Sequence, residues 1–262
     1  MNDSIRTVAI LMLMTVAQFA EAKIVFKDVL DKVYGGYDQK NNCWTIKDDD
    51  GNYCMKIDSV DRIVVNKRQR IYLLLTADLS SPETHAHADQ GLVGAFVLEK
   101  QNGQTKIIAG NAKISSGIDG EATKKWHFVK LGANYWGWAN TFSSYHSGYL
   151  TSMYSILAPH DTQVVELANF MVYRSNELDI VDENTTEKNN PEPCVDEDNQ
   201  PCSSISAEVK IDTHQGHRQV YPLLVTVTGN EKGKKLKPHT WTFAFDTKKW
   251  AYIEPEQWPL KF

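Results

Sequence analysis

Residues Gly91–Gly110 read GLVGAFVLEKQNGQTKIIAG. Two apolar, β-forming runs flank Gln101-Asn102-Gly103, and Asn-Gly between such runs is a hairpin signal. Thr240–Ile253, TWTFAFDTKKWAYI, repeats the design with Asp246-Thr247-Lys248 as its turn. Outward from these two hairpins lie Arg62–Val65, Ile71–Thr76, Trp126–Leu131, Tyr154–Leu157, Gln163–Leu167, Glu208–Asp212 and Val220–Val227, all short and β-branched or aromatic. Turn residues separate them at Pro159-His160-Asp161 and Gly229-Asn230. Many short strands joined by turns predict an all-β, mostly antiparallel fold, sandwich-like or barrel-like. A parallel sheet would need repeated helical crossovers. One helix is visible, over Ile24–Tyr34, where Phe26, Val29, Leu30, Val33 and Tyr34 fall on one face. Gly35-Gly36 ends it.

Met1–Ala22 reads as a secretory signal peptide. Arg6 precedes the uncharged core Thr7–Ala17, and Ala20-Glu21-Ala22 gives the small-x-small cleavage pattern. A membrane-spanning helix needs ~20 apolar residues, so the apolar core is too short, and no later segment qualifies. The reading is therefore a periplasmic or secreted protein with no transmembrane anchor. The formal net charge of −5 gives no reason to expect nucleic acid as a partner.

Four cysteines fall in two close pairs, Cys43 with Cys54 and Cys194 with Cys202. An oxidising compartment and an even count favour disulfides, and local pairing closes two short polar loops. Zinc would want tighter C-x₂₋₄-C spacing.

The two halves share an order. Lys56-Ile57-Asp58 precedes Arg68-Gln69 and Tyr72-Leu73-Leu74-Leu75-Thr76, whereas Lys210-Ile211-Asp212 precedes Arg218-Gln219 and Tyr221-Pro222-Leu223-Leu224-Val225-Thr226. A cysteine pair stands before each and a hairpin after each, so an internal duplication is expected. Pro222 marks an edge position in the second copy. The expected organisation is a signal peptide at 1–22 and a single domain at 23–262. That domain comprises two pseudo-repeated units, about 37–125 and 185–262, around an aromatic-rich centre at 126–172. Ser175–Ser204, rich in Asp, Glu, Asn and Pro, reads as a surface excursion and carries the sequon Asn184-Thr185-Thr186.

Candidate chemistry is sparse. His85, His87 and Asp89 share one side of an extended chain, and two imidazoles with a carboxylate suit a divalent metal. The spacing resembles the H-x-H-x-D core of metallo-β-lactamase-type hydrolases. Gln90 stands where that family has His, and its α/β sandwich has no counterpart in a β-only pattern. His214-Gln215-Gly216-His217 is a second pair. Asp48-Asp49-Asp50-Gly51-Asn52 and Asp196-Glu197-Asp198-Asn199 offer oxygen ligands, but Ile46 breaks an EF-hand pattern. There is no G-x-S-x-G elbow and no phosphate loop. Nothing argues positively for an enzyme or a cofactor.

Trp126–Tyr154, WHFVKLGANYWGWANTFSSYHSGYLTSMY, holds nine of the chain's aromatics and no Asp or Glu. On a strand Trp136 and Trp138 share a face, and Gly137 leaves the opposite face bare. Asn134–Gly148 lacks Leu, Ile and Val and interleaves rings with Asn, Thr, Ser and His. Tyr135, Trp136, Trp138, Tyr145 and Tyr149 are therefore the expected lining of an aromatic groove. The function this implies is non-catalytic binding of a glycan or a partner protein. The rival classes are a metal-dependent hydrolase using His85, His87 and Asp89, and a structural or inhibitor-like envelope protein.

Overall fold

The computed structural model describes residues 26–48, 51–80, 89–101, 103–177, 194–195, 200–214 and 216–261. Helix α1 (residues 26–34) begins the described chain. Its apolar positions repeat every four residues, and Phe26, Leu30 and Tyr34 are buried. On the solvent side Lys27 pairs with Asp31 one turn on. Gly35, at φ +86°, closes the last turn by donating its N–H to Asp31 O at 3.0 Å.

Six strands follow as one sheet in chain order: β1 (Tyr37–Asp38), β2 (Cys43–Asp48), β3 (Gly51–Val65), β4 (Arg68–Ala77), β5 (Gly91–Gln101) and β6 (Gln104–Ser116). Each neighbouring pair in this sheet is antiparallel. Helix α1 lies on Leu73 and Leu75 of β4 and Phe96 and Leu98 of β5, forming one core with Trp44, Tyr53 and Met55. Burying Phe26 and Leu30 there contributes about 1.5–3 kcal/mol each. Gly94 makes the close approach possible, because a Cβ there would stand 2.0 Å from the Tyr34 hydroxyl. That hydroxyl donates to Ala112 O at 3.0 Å, and Trp44 Nε1 donates to Asp31 at 2.8 Å. The Cys43–Cys54 disulfide ties β2 to β3.

The second sheet contains β7 (His127–Gly132), β8 (Tyr135–His146), β9 (Tyr149–His160), β10 (Gln163–Ser175), β11 (Ser204–Ile211), β12 (Leu223–Glu231), β13 (Lys234–Lys235), β14 (His239–Asp246) and β15 (Ala251–Ile253). Its order is β15-β14-β12-β11-β10-β9-β8-β7, with β13 beside β12. The sheet curls. Arg218–Tyr221, ahead of β12, returns to β7: Ala133 N donates to Arg218 O and Tyr221 N to Leu131 O, at 3.0 and 2.7 Å. Gly132 permits this, since a Cβ there would meet Gln219 O at 1.8 Å. The core of this sheet gathers Ile156, Leu167, Phe170, Val225, Phe243 and Trp258. The Cys194–Cys202 disulfide precedes β11.

The chain thus divides into two compact units. One holds the residues up to Lys124 with Asp161–Val164, and the other holds Lys125–His160 with Val165 onward. The all-β expectation and both local disulfides are present. The aromatic centre at 126–172 is not a separate layer; it supplies β7, β8, β9 and most of β10 to the second sheet. In both halves a disulfide is followed by a Lys-Ile strand antiparallel to a Leu-rich one, through Lys56↔Thr76 and Lys210↔Leu224. The two tyrosines expected to be equivalent do not share a setting. Tyr72 lies in β4, whereas Tyr221 stands in the irregular approach to β12, its N–H spent on β7.

Candidate functional site

Strands β8 and β9 form a hairpin whose turn is Ser147-Gly148, at φ +50° and +80°. Two positive φ values in a two-residue loop match the twist of the strands, and Gly takes the second without strain. The register runs without interruption from Trp138↔Leu157 to His146↔Tyr149. On the other side β7 pairs with β8 only from Tyr135 to Ala139. One strand therefore spans two environments. Gly137–Asn140 is buried, whereas Thr141, Ser143, Tyr145 and His146 are exposed.

The five predicted groove residues separate accordingly. Trp138 is 0% exposed and belongs to the interior, which corrects its assignment to a binding surface. Gly137 does not leave a bare face: a Cβ there would stand 2.3 Å from Leu157 O and 2.9 Å from Leu131 Cδ1. Trp136 is half-buried, with the Lys130 ammonium 5.7 Å from its ring centroid. Tyr135 is half-buried too. Its hydroxyl donates to Pro159 O at 2.7 Å and accepts from Trp250 Nε1 at 3.2 Å. His160 stacks on Trp250 at 4.2 Å, and Phe245 meets Trp250 edge-on at 5.3 Å. Tyr135 thus closes a hydrogen-bonded aromatic corner. Nothing local in the sequence signals that corner, because Trp250 lies 115 residues from Tyr135.

Tyr145 and Tyr149 alone among the five are exposed, at 51% and 43%, and Leu150 joins them at 40%. Directly paired residues share a face of an antiparallel ladder. Tyr145 pairs with Leu150, and His146 with Tyr149, so the two tyrosines point to opposite faces. Ten residues of strand place Tyr145 roughly 34 Å from Tyr135. The five side chains line no single groove. The structure presents instead a hairpin tip with Tyr145 and Leu150 on one side and Tyr149 and His146 on the other. Below the tip, hydroxyl pairs Ser143–Ser152 and Ser144–Thr151 bridge the strands at 2.8 and 3.1 Å.

Other candidate chemistry is thinner. His85, His87, the leader, the sequon and most of both acidic clusters lie outside the described residues. Asp89 is half-buried, and its carbonyl accepts from Gly120 N at 2.9 Å. Among the described residues no three His, Cys, Asp or Glu side chains gather to hold a metal. Burial raises the Tyr154 phenol to about 12, and it holds the phenol of Tyr252 higher still. Asp58 is also raised by burial, with Lys124 pulling the other way. A cleft of about 550 Å³ beside the second disulfide has Glu177 and Lys235 in its lining and no aromatic side chain among the described residues that line it. No described helix is long and apolar enough to cross a membrane. No protein-family model, no curated protein and no solved structure matches this chain.

Proposed function

We propose that this chain is an exported, non-catalytic binding protein that grips a partner protein with the tip of the β8–β9 hairpin. One observation carries the reading. Of the large apolar or aromatic side chains left exposed among the described residues, Tyr145, Tyr149 and Leu150 collect at one turn. Exposed tyrosines offer broad contact area at low conformational cost, and hot spots are enriched in them. The geometry favours a protein over a glycan. Sugars stack on rings that share one face, whereas these rings lie on two faces and suit insertion between two walls of a partner. Export is supported by the two disulfides, which persist in oxidising compartments, and by the leader pattern at 1–22.

The test uses the full chain with a photo-crosslinking residue replacing Tyr149, exposed to its native envelope or medium, alongside a glycan array. A crosslinked protein that is lost when Tyr145 and Leu150 become Ser, with thermal unfolding unchanged, supports the reading. Glycan binding that survives those changes overturns it.

A further inference from the structure

We propose that β8 pairs antiparallel with β8 of a second copy of this chain, around a two-fold axis at Ser143. The inference stands on the edge of the sheet and goes beyond the recognition reading. After Ala139, strand β7 no longer accompanies β8, and among the described strands only β9 pairs with Thr141–Tyr145. Thr141, Ser143 and Tyr145 are exposed there. An edge of this kind presents N–H and C=O groups ready to template another strand.

Native edges are normally blunted, and β1, β15 and β6 of this molecule are. Strand β1 has two residues and β15 three. Strand β6 carries Lys106 and Lys113 and is broken from regular register by two bulges. The far half of β8 has none of these devices. Its register with β9 is unbroken. From Leu131 to His160 there is no Asp, Glu, Lys or Arg, in a chain that is 23% charged. Burial explains that absence as far as Asn140, but not at the exposed tip, where a charge would be free to sit. A regular, uncharged, exposed edge is what a pairing surface needs and what an unpaired edge avoids.

The row is also self-complementary. With Ser143 facing its own copy, Thr141 faces Tyr145 and Phe142 faces Ser144. These are hydroxyl and aromatic–β-branched pairs of the favourable cross-strand kind. The hairpin already uses such hydroxyl pairs between its own strands. A foreign strand bearing charge would set it against a row with no counter-charge, whereas a second copy brings none. Because paired residues share a face, the Tyr145 and Leu150 side chains of both copies lie on one side of the joined sheet. The two Tyr145 residues are then about 14 Å apart along the strands. The contact is isologous and closes as a dimer.

The experiment is sedimentation velocity on the full exported chain across the micromolar range, without any partner. Wild type should show a concentration-dependent dimer. Ser143→Lys and Thr141→Lys should each weaken it at least tenfold with unchanged melting temperature, and Ile253→Lys at the β15 edge should leave it intact. All described cysteines are paired, so an introduced thiol is readable. Ser143→Cys should form a disulfide-linked dimer under mild oxidation, and Thr141→Cys alone should not. A monomer throughout the range overturns the proposal, as does a dimer broken by Ile253→Lys but not by the β8 lysines. Loss of partner crosslinking in the tyrosine variants with the dimer intact would remove only the recognition reading, so the two failures are distinguishable.

Discussion

Replacing Trp138 by Ala tests the division of β8 into a buried and an exposed half. Trp138 is 0% exposed. Its burial removes on the order of 200 Å² from water, which at about 25 cal/mol per Å² is near 5 kcal/mol. Alanine keeps a small part of that, while the cavity left behind adds a penalty, so a loss of about 4 kcal/mol is expected. That is a large share of the ~5–15 kcal/mol of a typical domain. Tyr145→Ser, seven residues along the same strand, removes a ring already half in water and should cost well under 1 kcal/mol. Denaturant unfolding followed by tryptophan fluorescence suits the measurement. Six of the seven tryptophans lie beyond Lys125, so the signal reports mainly the second unit. A cost below about 1 kcal/mol for Trp138→Ala would show that the ring is not in a packed interior. A cost near 4 kcal/mol for Tyr145→Ser would show that the tip is structural, and the binding reading would fall with it.

Glu99 provides a pH prediction. Burial works to raise its carboxyl, but hydrogen bonds from Arg70, Gln101 and Arg68 outweigh this and hold it below the ordinary value of 4.5. A depressed folded value stabilises above the unfolded one, and that contribution disappears as pH falls through the folded value. Glu99→Gln should therefore lower the melting temperature at neutral pH and flatten its decline below about pH 4.5; an unchanged acid limb would refute the assignment. The two disulfides should differ in access. Cys194 is exposed, whereas Cys43 is 0% exposed, so mild thiol reductant should open Cys194–Cys202 first, as read by differential alkylation and mass spectrometry. Each closes a short loop worth ~2–3 kcal/mol in the entropic model, so opening one should leave the fold standing. Labelling of Cys43 ahead of Cys194 would contradict this.

Strand periodicity and turn chemistry are local, which is why the Gly91–Gly110 hairpin, helix α1 and the disulfide loops were legible in the sequence. What covers a strand is not local. Trp136 and Trp138 have the same parity and identical chemistry, yet one is half-buried and the other fully enclosed. Tyr221 resembles Tyr72 in its surroundings, but Pro222 cannot extend the ladder, and the Tyr221 N–H turns to Leu131 while its carbonyl accepts from Tyr252. The aromatic corner joins Tyr135 to Trp250 and His160, a meeting set by strand order rather than by any pattern within a window.

The missing Leu, Ile and Val of Asn134–Gly148 pointed to a wet surface, yet Gly137–Asn140 within that stretch is buried. The average failed because a single strand crosses from interior to solvent between Asn140 and Thr141. Two features of the sequence do locate the crossing. Hydroxyl residues begin at Thr141 and continue through Ser143, Ser144, Ser147, Thr151 and Ser152, and Ser147-Gly148 fixes the turn. Counting outward from that turn, His146 pairs with Tyr149 and Tyr145 with Leu150, which already places the two tyrosines on opposite faces. The turn therefore decides that the tip is two-sided before any packing is known. The start of β7 at His127, opposite Ala139, then leaves the outer edge of β8 uncovered by β7 from Asn140 onward, and that required the structure.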